Sequence, residues 1–178
     1  MNPFEYFLHL KEQILTTKDL IENIRTYAYT DRLLLINHPT ITPLGAGKHN
    51  IHFHIGTIEN IHLATREYIG IAYDEEDITA EYENYIDQII KAHEQGKNVP
   101  RICGAIKTEI LPNYLFPRYF LIIEDITKNK TRTLQPAAPG ETTGTIDGRE
   151  IYYDFDTLSN NYPPTKYLAP ENLLFLNK

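Results

Sequence analysis

The clearest helical pattern in this chain is residues 77–95, DITAEYENYIDQIIKAHEQ. The positions that repeat every three or four residues are Ile78, Tyr82, Tyr85, Ile86, Ile89 and His93. Acidic residues 74–77 supply negative charge where a helix dipole favours it, and Gly96 followed by Pro100 is a typical stop. We therefore expect one long helix here, with Ile78, Tyr82, Ile86 and Ile89 facing a sheet.

Short apolar segments on both sides of this helix predict the sheet. Strands are expected at 33–36, 51–55, within 58–73, at 102–110 and at 119–123. Residues 42–47 contain proline and glycine and are expected to form a loop. Residues 3–30 have helical spacing with a break near Thr16, so they predict one broken helix or a helical hairpin. The order of elements indicates an α+β fold, with a mixed or antiparallel sheet and one long central helix.

The last third of the sequence has a different texture. It is rich in proline, and we expect residues 127–178 to form a loosely structured strand and loop extension that packs on the sheet. Asp147-Gly148 is a hairpin signal between segments 143–146 and 150–155. With 178 residues, the whole chain, 1–178, is most simply a single domain.

Composition narrows the classes of function. The net charge of −7 argues against a protein that grips nucleic acid through a basic surface. No apolar run approaches the roughly 20 residues that span a bilayer, so no membrane association is expected. The single cysteine, Cys103, cannot form an internal disulfide and is expected to be a small buried residue. These features predict a cytoplasmic protein.

Histidines form the one group of residues that could bind a metal. Five of the seven lie between His38 and His62, and His52 and His54 flank Phe53. In a strand, residues two apart share a face, so His52 and His54 are the candidate metal ligands. The alternative is that they are ordinary solvated or hydrogen-bonded histidines, and we expect no cofactor.

The sequence His52-Phe53-His54 resembles the metal-binding motif of rolling-circle replication nucleases. The resemblance implies a later helical tyrosine as nucleophile, and Tyr82 and Tyr85 lie on such a helix. The lysine that this family places three or four residues after its tyrosine is absent here.

His52, His54 and Glu59 also have the spacing of the first cupin motif, which implies a metal enzyme in a β-barrel. No histidine follows His93 to complete the second cupin motif. Residues 43–49 are similar to a phosphate-binding loop only superficially, because Thr42 and His49 stand where that motif needs glycine and serine or threonine.

Acidic residues are concentrated at the start of the central helix. Seven of the 24 acids fall within residues 74–87, more than dipole complementarity requires. A solvated helix face is the simple interpretation. The functional interpretation is a docking surface for a basic protein, formed by Glu76, Asp77, Glu81, Glu83 and Asp87.

Together these patterns predict a non-catalytic, acidic protein-binding module. An immunity or inhibitor protein that blocks a basic toxin or nuclease would have this character. The alternatives are a structural component of a larger, phage-like assembly and a metal-dependent enzyme that uses His52 and His54. Tyrosine, present 13 times, suits contact surfaces as well as cores.

Overall fold

The structure is a computed structural model that describes residues 1–46, 49–70, 74–126, 130–131, 142–146 and 149–154. Its helices are α1 (Glu5–Thr16), α2 (Lys18–Tyr29), a 3₁₀ helix (Arg32–Leu35) and α3 (Glu75–Glu94). Its strands are β1 (Thr42–Ala46), β2 (Asn50–Ile58), β3 (Ile61–Tyr68), β4 (Ile102–Lys107), β5 (Tyr119–Glu124), β6 (Lys130–Thr131), β7 (Thr142–Ile146) and β8 (Arg149–Asp154).

Five strands form one antiparallel sheet in the order β1-β2-β3-β5-β4. Strands β6, β7 and β8 form a second, three-stranded sheet, and β7 and β8 flank the predicted Asp147-Gly148 hairpin signal. The prediction of an α+β fold with an antiparallel sheet and one long helix is therefore confirmed. The extension predicted over 127–178 lies mostly outside the described residues.

Helices cover both faces of the five-stranded sheet. On one face the Tyr27 ring of α2 lies 5.5 Å from Phe53 and 5.0 Å from Phe120, measured between centroids. On the other face the guanidinium of Arg66 lies over the Tyr85 ring of α3. Consecutive residues of a strand point to opposite faces, so in β3 Arg66 faces α3 whereas Glu67 faces α2. Cys103 is buried in this core, as expected.

A β-bulge in β2 changes which residues share a face. The register shifts between His54, which pairs with Ala64, and Gly56, which pairs with Leu63. Gly56 has φ +148°, and a Cβ there would lie 3.1 Å from Leu20 Cδ1 of α2. Glycine therefore serves both the backbone conformation and the close approach of α2.

Two local predictions were wrong. Residues 33–36 are not a buried strand: they lie in and just after the 3₁₀ helix, where Asp31 accepts a hydrogen bond from Leu33 N at 2.9 Å, and only Leu35 is buried. Residues 42–46 are not a loop but the edge strand β1, which tolerates Pro43 because an edge strand has one unpaired side. Within the described part of the chain, no helix has both the length and the hydropathy needed to cross a bilayer.

Candidate functional site

The carboxylate of Glu67, at the end of β3, is the centre of a buried polar network. Arg118 binds it with both ends of its fork, Nε to Oε1 at 2.9 Å and Nη2 to Oε2 at 2.8 Å. Arg32 Nη1 lies 2.9 Å from Oε1, and the Tyr27 hydroxyl donates to Oε2 at 2.6 Å. Bidentate pairing with a guanidinium is among the strongest arrangements that a buried carboxylate can have.

The network fixes the charge state of its members. Burial alone would raise the pKa of Glu67, but hydrogen bonds and charge from Arg118, with help from Arg32 and Tyr27, hold that pKa below its usual value. Burial and the neighbouring Glu67 charge raise the pKa of Tyr27. The carboxylate is thus ionised and the phenol neutral at physiological pH.

Arg118 also caps the C-terminal end of α2. Its Nη1 donates to the carbonyls of Tyr27 (3.0 Å), Ala28 (2.7 Å) and Thr30 (3.2 Å). These carbonyls carry the negative end of the helix dipole, so a buried cation is favourable there. The cap sets where the chain leaves α2 and enters segment 31–36.

A second segment, 109–117, begins and ends beside Arg118. It is closed by Thr108 and Arg118, whose backbones pair at 2.9 Å (Thr108 N to Arg118 O), while Arg118 N donates to Thr108 Oγ1 at 3.0 Å. Arg118 Cζ also lies 5.6 Å from the centre of the Tyr114 ring. Segments 31–36 and 109–117, together with residues 74–77 at the start of α3, are called the loop end below.

The loop end exposes large aliphatic side chains. Leu33 and Leu34 are 76% and 75% exposed. The other exposed aliphatic residues of these two segments are Ile36, Ile110 and Leu115. Grouped exposed apolar side chains on rigidly anchored segments are typical of protein interaction sites.

The loop end also carries acidic residues. Glu75 joins the start of α3 to the ends of two strands, since its Oε1 lies 2.8 Å from Lys107 Nζ and accepts a hydrogen bond from the Tyr119 hydroxyl at 2.6 Å. These hydrogen bonds, that from Lys107 first, lower the pKa of Glu75. The exposed acids of the loop end are Asp31, Asp74, Glu76 and Glu109.

The predicted acidic docking residues are distributed unevenly. Glu76 is exposed at the loop end, and Asp77 forms a capping box with Asp74. Glu81 and Asp87 are half-buried further along α3, and Asp87 pairs with Lys91 at 2.7 Å. Glu83 requires a correction, because it is 1% exposed and does not belong to an open acidic face. Helical spacing could not reveal this, because burial of Glu83 depends on tertiary packing.

The predicted metal ligands lie on the α3 face of β2, as alternation requires. His54 Nδ1 lies 3.0 Å from Oδ2 of Asp125, whose side chain is fully buried, and the His54 and His62 ring centres are 5.9 Å apart. The contact with Asp125 orients the His54 ring. Among the described residues, no group of three or more histidine, cysteine, aspartate or glutamate side chains is placed to hold a metal.

Sequence reasoning missed the Glu67 network altogether. The available signal was the pair Arg66-Glu67 within a predicted strand region, since adjacent charges in a strand put one charge on each face of the sheet. No local pattern pairs Glu67 with Arg118, which follows it by 51 residues.

Comparison with known proteins returned no match to a protein-family model, a curated protein or a solved structure.

Proposed function

We propose that this chain is a non-catalytic protein-binding module, acting in the cytoplasm, that docks a basic protein onto its loop end. The observation that carries the proposal is the exposure of Leu33 and Leu34 on a segment held in place by the buried Arg118–Glu67–Arg32 network. A rigid segment that presents apolar side chains loses little conformational entropy on binding.

Charge specifies the chemistry of the partner. The chain carries a net charge of −7, and the acids Asp31, Asp74, Glu76 and Glu109 are exposed in the same loop end as the aliphatic residues. An apolar centre with a charged border is the usual anatomy of an interface. The complementary surface has apolar side chains within a basic border, as a basic toxin or nuclease blocked by an inhibitor or immunity protein would have.

The test is co-purification of the tagged chain from its own cells, followed by reconstitution with each purified partner. A Leu33→Asp, Leu34→Asp double variant should lose a basic partner that wild type retains. Leu8→Asp is the matched control, because Leu8 is an exposed leucine of α1, outside the loop end. A partner retained equally by all three proteins, or an acidic partner, would overturn the proposal.

Complex stoichiometry then separates the two forms of binding. A discrete complex of fixed, low stoichiometry supports an inhibitor or immunity protein. Open-ended association into large particles supports the structural component of an assembly. Size-exclusion chromatography with light scattering on the reconstituted complex distinguishes them.

A further inference from the structure

Arg66 is a buried arginine whose charge the described residues do not neutralise. It is 5% exposed, its Nε has no hydrogen-bond partner among the described residues, and no described carboxylate forms an ion pair with it. Its contact is with the Tyr85 ring, whose centre lies 3.7 Å from Cζ. A cation–π contact compensates only part of the cost of removing a guanidinium from water.

A second unsatisfied group lies beside it on the neighbouring strand. Asn50 is 9% exposed, and in the part of the chain that the structure describes its Oδ1 also lacks a hydrogen-bond partner. In the β2–β3 register Asn50 pairs with Tyr68 and His52 pairs with Arg66, so Asn50 and Arg66 are diagonal neighbours on one face. Two adjacent buried groups that both lack partners call for an explanation, because buried polar groups are nearly always hydrogen-bonded.

The contact with Tyr85 fixes the orientation of the guanidinium. A separation of 3.7 Å places Arg66 flat against the Tyr85 ring, so its N–H groups point sideways along the sheet rather than into the ring. Guanidinium N–H groups in this fork bind carboxylate or phosphate oxygens in a bidentate manner. Asn50 can then accept from a hydroxyl of the ligand or, with its amide rotated, donate to it.

From this arrangement we infer that Arg66 and Asn50 form a binding site for a small oxyanion, with His52 and Tyr85 at its border. The shared chemistry is a carboxylate or phosphate group. The site lies on the α3 face of the sheet, whereas the Glu67 network lies on the α2 face, so it is independent of docking at the loop end.

The experiment is a titration of the full chain, labelled with ¹⁵N-arginine, with inorganic phosphate, sodium acetate and sodium chloride at equal ionic strength. The Arg66 Nε–H resonance is identified by its absence from Arg66→Met. We expect saturable shifts of that resonance with phosphate or acetate but not with chloride. The anion that binds more tightly identifies the ligand as a phosphate or a carboxylate.

Variants test the assignment by affinity, measured calorimetrically. Arg66→Met should weaken binding at least tenfold, and Asn50→Ala several-fold. Arg66→Lys keeps the charge but loses the guanidinium fork, so it should weaken anion binding by an intermediate factor. This variant replaces Arg66→Met in the test if Arg66→Met does not fold. Arg101→Met is the matched control, because Arg101 also lies over a tyrosine, Tyr6, but elsewhere. No saturable shift in wild type, or equal affinity in Arg66→Met, would overturn the inference.

Discussion

Glu67 and Arg66 are neighbours in β3, yet the two faces of the sheet treat them in opposite ways. On the α2 face Glu67 meets two arginines and a tyrosine hydroxyl, so its charge is fully compensated. On the α3 face Arg66 meets one aromatic ring and no described carboxylate. The difference teaches that two neighbouring buried charges can differ in role: the charge of Glu67 is compensated by groups that hold the fold together, whereas Arg66 has no described counter-ion.

The most direct test of this comparison is to replace each buried arginine, Arg118 and Arg66, by methionine. Arg118→Met should lower the free energy of unfolding by about 3–5 kcal/mol, because it leaves the buried Glu67 carboxylate with a single guanidinium partner. Urea denaturation monitored by circular dichroism measures the change. A loss below about 1 kcal/mol would mean that Arg32 alone satisfies the carboxylate.

The next largest effect on the free energy of unfolding is expected from the ionisation of Glu67 as the pH changes. The pKa of Glu67 is lower in the folded state than its unfolded value near 4.5. The stabilisation that the ionised Glu67 gives the folded state is therefore fully present above pH 4.5 and is lost as the pH falls through the folded-state pKa. The stability difference between wild type and Glu67→Gln should therefore narrow below about pH 4.5.

Ile86→Ala is the control for that pH series. It removes a fully buried aliphatic group of α3, at a cost of about 2–5 kcal/mol. Because no ionisable group is removed, its stability difference from wild type should be the same at each pH. Denaturant titrations at several pH values between neutral and acid check both curves, and a Glu67→Gln difference that is constant with pH would contradict the assignment.

On the α3 face, replacing the buried arginine should not lower the free energy of unfolding. In buffer free of oxyanions, Arg66→Met should leave the free energy of unfolding unchanged or increase it, because an apolar side chain of similar length removes an uncompensated buried charge. The same urea titration measures it. A loss greater than about 2 kcal/mol would show that the chain itself compensates Arg66, beyond what a cation–π contact supplies.

The smallest effect is expected at the protein surface. Lys91 pairs with Asp87 one helical turn away, and its side chain is mostly exposed. Lys91→Ala should change the free energy of unfolding by less than about 0.5 kcal/mol. A larger loss would require a role for Lys91 beyond this pair.

Local patterns predicted what local forces determine. Helix α3 was expected at residues 77–95 and spans Glu75–Glu94, because its period, capping acids and stop signal all lie within the segment or within a few residues of its ends. Segment 33–36 was expected to be a strand, since an apolar run alone cannot reveal that Asp31 initiates a 3₁₀ turn. The Glu67 network and the isolation of Arg66 could not be predicted, because both depend on strand pairing across the sheet.

The cap on α2 has a consequence for folding kinetics. Arg118 lies 91, 90 and 88 residues from the carbonyls of Tyr27, Ala28 and Thr30 to which it donates. The last turn of α2 therefore depends on a contact whose loop closure is entropically expensive, and which exists only after β5 has joined the sheet. We therefore expect the start of α2 to form before its end, and we expect φ-values near zero for substitutions in the last turn of α2 and at the exposed leucines that follow.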